Sequence, residues 1–211
     1  MTPPPNVIFV PAAAGLSLII HDDFAIASDG SLSGRTPNIV DNGNTWTTYN
    51  GETYTVQASS GTVFASNDGS DFSKATTLDS GATTYKIEAL LSCPSWTSSL
   101  CGVVLALTSG TDTSETFAKI DTSGGVFRCV EYSSGSASVT SLGSVTVGSG
   151  ERWLDVEVSG TSYTATLFNQ TRTSTVASGS GTLSISPTTV VGLNLVSAST
   201  NTYCTDFKVY T

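Results

Sequence analysis

The segment RWLDVEVSGTSYTATLF, residues 152–168, shows the form that governs the whole chain. Leu154, Val156 and Val158 alternate with Trp153, Asp155 and Glu157. A period of two belongs to a strand with one core face and one outward face. The SGTS that follows is turn sequence, and SYTATLF reads as the returning strand of a hairpin. The same form recurs along the chain. TYTVQ, TVFAS, TYKIEALLS, CGVVLALT, TFAKID, GVFRCVEY and CTDFKVYT are short apolar or alternating runs, divided by YNGE, NDGSD, DSGA, TSGTD, TSGG and VGSGE. In the last run, Phe207 and Val209 alternate with Asp206 and Lys208. No segment carries the helical period. About a dozen short strands with Gly-rich turns predict an all-β sandwich or barrel.

The chain has 211 residues, enough for one β-sandwich. A domain of that size buries about 70% of the surface its unfolded chain exposes, so neither metal nor disulfide is needed merely to fold. With 38% apolar and only 12% charged residues, it is too apolar and too weakly charged for a disordered chain. Eight basic against seventeen acidic residues give a net charge of −9. The basic residues stand singly, so no basic patch forms from neighbours in sequence. Phosphate neutralisation supplies most nucleic-acid affinity, and that role is excluded on this ground, as is binding to anionic membranes.

The start, MTPPPNVIFVPAAAGLSLII, has no Lys or Arg ahead of its apolar part, and Pro11 interrupts that part. Both features argue against a secretory signal. No run reaches the length of a membrane span. Residues 1–20 read as an extended, Pro-stiffened arm that docks by strand addition. No linker divides residues 21–211, which read as one sandwich domain.

Chemistry-bearing residues are few. Cys93, Cys101, Cys129 and Cys204 contain no CxxC pair, and His21 is the only histidine, so a zinc site is not expected. Cys93 and Cys101 flank CPSWTSSLC; if their strands pair as a hairpin, the sulfurs come within bonding reach. Buried free thiols are the other reading. A Cys129–Cys204 bridge is the weaker pairing. Trp46, Tyr49, Tyr54, Trp96 and Trp153 are candidates for stacking on a glycan, with core or rim positions as the alternative. Trp96 is expected to be exposed, because Pro94 and serines surround it.

The stretch HDDFAIASDGSLSGRTPNIVDNGNTW, residues 21–46, carries a resemblance. Its DDF strand start, its DG-x-L-x-GR-x-P turn and the following Trp resemble the opening of concanavalin A-like, laminin-G-like jelly rolls. Such domains occur in phage virion proteins and bacterial surface proteins. GVFRCVEY, ERWLDVEVSGTSYTATLFN and the ending VVGLNLVSASTNTYCTDFKVYT resemble later landmarks of that fold, in order. The resemblance covers about 190 residues and implies that the first and last strands lie side by side. Asp22, Asp23 and Asp206 would then meet at that seam, either as structural clamps or as calcium ligands. Asn67, Asp68 and Asp71 offer a second oxygen cluster, with turn chemistry as the alternative.

Some jelly rolls are glycosidases, which need two carboxylates in register. The nearest match is Asp155 with Glu157, but Trp153 stands where the retaining glucanase pattern has its first Glu. The expectation is therefore a non-enzymatic jelly-roll sandwich without a cofactor. It would sit on a virion as a decoration, fibre or tail component, in multiple copies. It would dock through residues 1–20 to other virion proteins and bind cell-surface glycans weakly. The alternative is a secreted bacterial carbohydrate-binding module, and the third reading is a glycan-degrading enzyme.

Overall fold

The computed structural model describes residues 16–48, 53–65, 76–97, 100–108, 116–133, 136–196 and 202–211. In chain order the strands are β1 (Leu18–Asp22), β2 (Gly30–Ser31), β3 (Ile39–Val40), β4 (Thr47–Thr48), β5 (Tyr54–Gln57), β6 (Thr62–Ala65), β7 (Thr76–Asp79) and β8 (Tyr85–Cys93). Then come β9 (Leu100–Thr108), β10 (Thr116–Ser123), β11 (Val126–Ser133), β12 (Ser136–Ser144), β13 (Gly150–Ser159), β14 (Ser162–Asn169), β15 (Thr175–Thr182), β16 (Val190–Val196) and β17 (Tyr203–Tyr210). The described residues contain no helix.

Ten strands form one sheet, ordered β15-β14-β13-β8-β17-β6-β5-β2, with β1 pairing both β17 and β3. Seven form the other, ordered β12-β11-β10-β9-β16-β7-β4. Every strand pair is antiparallel. The protein is therefore an all-β, two-sheet antiparallel sandwich of the concanavalin A-like jelly-roll type. The inner faces supply the core. Leu154, Val156 and Val158 of β13 are buried as their alternation predicts, while Trp153, Asp155 and Glu157 point outward. Across the core stand Val103, Leu105, Ile120, Leu193 and Leu195 of the seven-stranded sheet. Each such side chain contributes roughly 1.5–3 kcal/mol by leaving water.

First and last strands pair as the resemblance implies: His21 lies opposite Lys208 and Asp22 opposite Phe207. β1 starts at Leu18, and Ile20 is core, so this strand crosses the boundary drawn between residues 20 and 21. Residues 16–20 belong to the sandwich, tied to its last residue by Ser17 N donating to Thr211 O at 2.7 Å.

At the opposite margin, β12 and β15 close the two sheets on each other. A Cβ at Gly179 would lie 2.7 Å from Leu142 Cβ, so only glycine permits this approach.

One expected hairpin is absent. β8 belongs to the ten-stranded sheet and β9 to the seven-stranded one, so the chain crosses the sandwich between Cys93 and Cys101. Alternation alone does not report which sheet a strand joins, and here the chain changes layer. All four cysteines are buried free thiols in this structure, Cys129 and Cys204 included.

Candidate functional site

Asp22 organises the stretch of residues 21–46. Its carboxylate is wholly buried and accepts four hydrogen bonds. Phe24 N (2.9 Å) and Arg35 Nη2 (2.6 Å) donate to Oδ1. Arg35 Nε (3.2 Å) and Trp46 Nε1 (2.8 Å) donate to Oδ2. Phe24 sits at φ 54°, a conformation that costs an L-residue energy, and its ring is fully buried beside Trp46. The backbone closes the same unit: Gly34 N donates to Trp46 O (2.8 Å) and Trp46 N to Arg35 O (2.9 Å). The DDF, SGR and W signature is thus a clamp.

The three aspartates do not meet as a calcium set. Asp22 points into the core and is saturated by donors. Asp23 is exposed and accepts from Ala25 N at 3.0 Å. Asp206 lies on the outer sheet face, paired with His21 (3.0 Å) and Lys208. Strand pairing brings their backbones together, but the period of two turns Asp22 and Asp206 to opposite faces. Among the described residues no group of His, Cys, Asp and Glu side chains is arranged to hold a metal ion. Asn67, Asp68 and Asp71 lie outside the described residues.

The clamp also fixes the segment Asn42–Thr47. Trp46 is anchored inward, so Thr45 and Thr47 stand on the solvent side. Gly43, at φ 70°, makes the turn that brings two amides together. Asn42 Nδ2 (2.8 Å) and Asn44 Nδ2 (3.1 Å) both donate to Asp79 O. β4 then pairs with β7, with Thr47 opposite Thr77. The result is an open cleft of about 260 Å³ at this margin of the seven-stranded sheet, lined by Asn44, Thr45, Thr47, Thr77, Leu78, Asp79 and Val190. With Nδ2 committed, Asn44 presents Oδ1 as an acceptor. Asp79 Oδ1 accepts from Gly81 N at 2.9 Å, which orients the carboxylate. Among the described residues, no cation lines this cleft. An amide, hydroxyls and one carboxylate over an apolar floor are suited to a neutral polyol.

Beside the cleft, the outer face of the same sheet carries a cluster that the sequence reading did not single out. Lys119 and Asp121 are fully buried and 3.0 Å apart; Lys119 Nζ also donates to Asn194 Oδ1 at 2.7 Å. Arg128 Nε donates to Asp121 at 2.6 Å. Phe117 and Tyr132 stack at 4.4 Å. TFAKID shows the alternation of a strand, and a polar face in such a run is ordinarily solvated. The one available signal was opposite charge two residues apart on one face.

The aromatic candidates separate sharply. Trp46, Tyr54 and Trp96 are buried, with at most 1% of their surface exposed, and offer no ring face to a ligand. Trp96 corrects the expectation of exposure: its Nε1 donates to Gly150 O at 2.6 Å, and the ring fills the point where the chain crosses between sheets. Tyr54 accepts from Leu195 N at 3.1 Å, bridging the layers. Tyr49 lies outside the described residues. Trp153 alone of the described four is half-exposed, but the Arg172 guanidinium lies 4.0 Å over its ring and Lys208 lies 5.3 Å away.

That outward face is a lattice of ion pairs. Arg172 Nη2 contacts Asp155 (2.8 Å) and Glu88 (3.2 Å); Lys86 contacts Glu88 (2.8 Å) and Asp155 (3.5 Å). Burial and the neighbouring Glu88 push the Asp155 carboxyl up to about 6, against the pull of Arg172 and Lys86. Burial also raises Glu88, but Lys86 and Arg172 outweigh it and hold that group below its ordinary value. Asp155 and Glu157, the nearest match to a catalytic pair, differ in setting: the first is locked between cations and the second is exposed.

No family model matches the sequence, and no curated protein does. Solved structures do share the fold. A GH43B protein of a Bacteroides ovatus xyloglucan PUL superposes with a TM-score of 0.52 at 13% identity, over 95% of this chain and 39% of that one. This chain therefore spans about two fifths of that protein. The carbohydrate-binding module CBM66 from Bacillus subtilis gives 0.47 at 15% identity, over 76% and 91% of the two chains. The CBM2 module of an evolved Dit from Lactobacillus casei BL23 phage J-1 gives 0.46 at 10% identity, over 92% and 95%. At these identities the likeness is one of fold.

Proposed function

We propose that this chain is a carbohydrate-binding β-sandwich module without a catalytic step, and that it holds a neutral glycan in the cleft of Asn44, Thr45, Thr47, Thr77 and Asp79. The observation that carries the reading is the cleft's lining: oriented amide and carboxylate oxygens, hydroxyls and an apolar floor, with no cation among the described residues. Sites of this kind fix a ligand by a few placed polar groups over apolar contact. The Asp79 carboxylate and the net charge of −9 both oppose an anionic glycan. With Trp46, Tyr54 and Trp96 buried, recognition by the described residues of the cleft rests on hydrogen bonds, which suits a weak single site that gains from repetition.

A particle-borne setting, with the sandwich displayed on a virion, stays within the proposal. Its support is the sequence resemblance to jelly rolls of phage and bacterial surface proteins. Mass spectrometry of purified particles tests it, and absence of the chain from them favours a secreted module. Calorimetric titration with neutral oligosaccharides, xyloglucan fragments first, tests the binding itself. Binding that is lost on Asn44→Ala supports the cleft; no binding to any neutral glycan sinks it.

A further inference from the structure

We infer that Cys93 and Cys101 are a redox-linked pair, which joins the two sheets covalently when a low-molecular-weight disulfide reaches Cys93. Cys93 closes β8 in the ten-stranded sheet, and Cys101 opens β9 in the seven-stranded one. Both side chains point into the shared core, each only 1% exposed. Cys101 Sγ donates to the carbonyl oxygen of Ser92, the residue next to Cys93, at 3.7 Å. Burial first, and Cys93 second, hold the Cys101 thiol well above its ordinary value, so it rests protonated.

Cys93 lines an open pocket of about 380 Å³ with Ser92, Pro94, Ser149, Gly150 and Tyr203. Of the other two thiols, Cys204 Sγ donates to Asp206 O at 3.3 Å, and Cys129 lies on β11, away from the crossing.

The chemistry is thiol–disulfide exchange. Cys93, deprotonated, attacks one sulfur of the small disulfide; its S–S bond breaks and one thiol leaves with the proton. Cys101 then attacks the Cys93 sulfur of the mixed disulfide and displaces the second thiol. Two protein thiols become one disulfide, and the small disulfide is reduced to two thiols. A disulfide across so short a loop constrains the unfolded chain, and it does so at the point where the chain changes layer.

The test is to incubate the reduced, folded full-length chain with oxidised glutathione and map its peptides without reduction. The expected result is a Cys93–Cys101 link, loss of two hydrogens in intact mass, and a rise in Tm of about 5–10 °C that dithiothreitol reverses. Cys101→Ser should stop at a glutathione adduct on Cys93. Finding both thiols unmodified in the folded wild type, or a link to Cys129 or Cys204 instead, overturns the proposal. The wild-type map needs no variant to fold, and its outcome is independent of glycan binding.

Discussion

Trp46 Nε1 donates to Asp22 Oδ2 at 2.8 Å, joining the first strand of the sandwich to the segment that walls the cleft. Arg35 shares the same carboxylate from the turn between them. Clamp and cleft are therefore one unit, read from Asp22 to Thr47.

Asp22→Ala leaves the Arg35 guanidinium and the Trp46 N–H without their acceptor. Removing one partner of a buried ion pair costs about 3 kcal/mol or more. We expect a fall in Tm of roughly 6–12 °C, read by thermal denaturation. A drop below about 2 °C would show that the clamp is redundant.

Asp155 makes stability pH-dependent in a definite direction. Its folded value is raised to about 6 from 3.8, so between these the folded state binds more protons than the unfolded one. Its contribution is best at low pH and is lost as pH rises through about 6. Glu88 and Asp206 are held low and act in the opposite sense, losing their contribution as pH falls. Subtracting the curve of Asp155→Asn from that of wild type removes most of their effect. The difference should move against wild type by about 2–3 kcal/mol between pH ~4 and pH ~7. Parallel curves would contradict the raised carboxyl.

Gly179→Ala forces a Cβ to 2.7 Å from Leu142 Cβ and 2.9 Å from its backbone, which cannot move aside cheaply. Overpacking of this kind costs about 1–3 kcal/mol. Gly143→Ala places its Cβ 3.6 Å from Ala177 Cβ, an ordinary contact, and should cost far less. Equal denaturant midpoints for the two variants would mean that β12 and β15 do not close as described.

Much of this architecture is legible in the sequence, and the reason is local. The faces of β13 follow from Leu154, Val156 and Val158, whereas the pairing of β1 with β17 was implied only by the resemblance to concanavalin A-like jelly rolls. Layer changes are not local. Pro94 and the serines around Trp96 read as an exposed loop, yet the chain crosses the sandwich there and buries the ring under Gly150 O. The cleft was illegible for the same reason. Asn44, Thr77 and Val190 are distant in sequence, and sheet order alone makes them neighbours. Trp46 and Trp96 hold the sandwich together and offer no platform, because indole burial and indole display leave the same mark in a Ser-rich sequence.

Titration of neutral oligosaccharides into wild type, Asn44→Ala, Asp79→Asn and Trp153→Ala tests the central claim most directly. Thermal denaturation of each variant first confirms that it is folded. Losing a placed hydrogen-bond partner weakens binding by about 1–2 kcal/mol, roughly tenfold in Kd. The account predicts that loss for Asn44→Ala and Asp79→Asn, with Trp153→Ala binding as wild type does. Binding that survives both cleft substitutions and disappears in Trp153→Ala would place the site on the other sheet and contradict it.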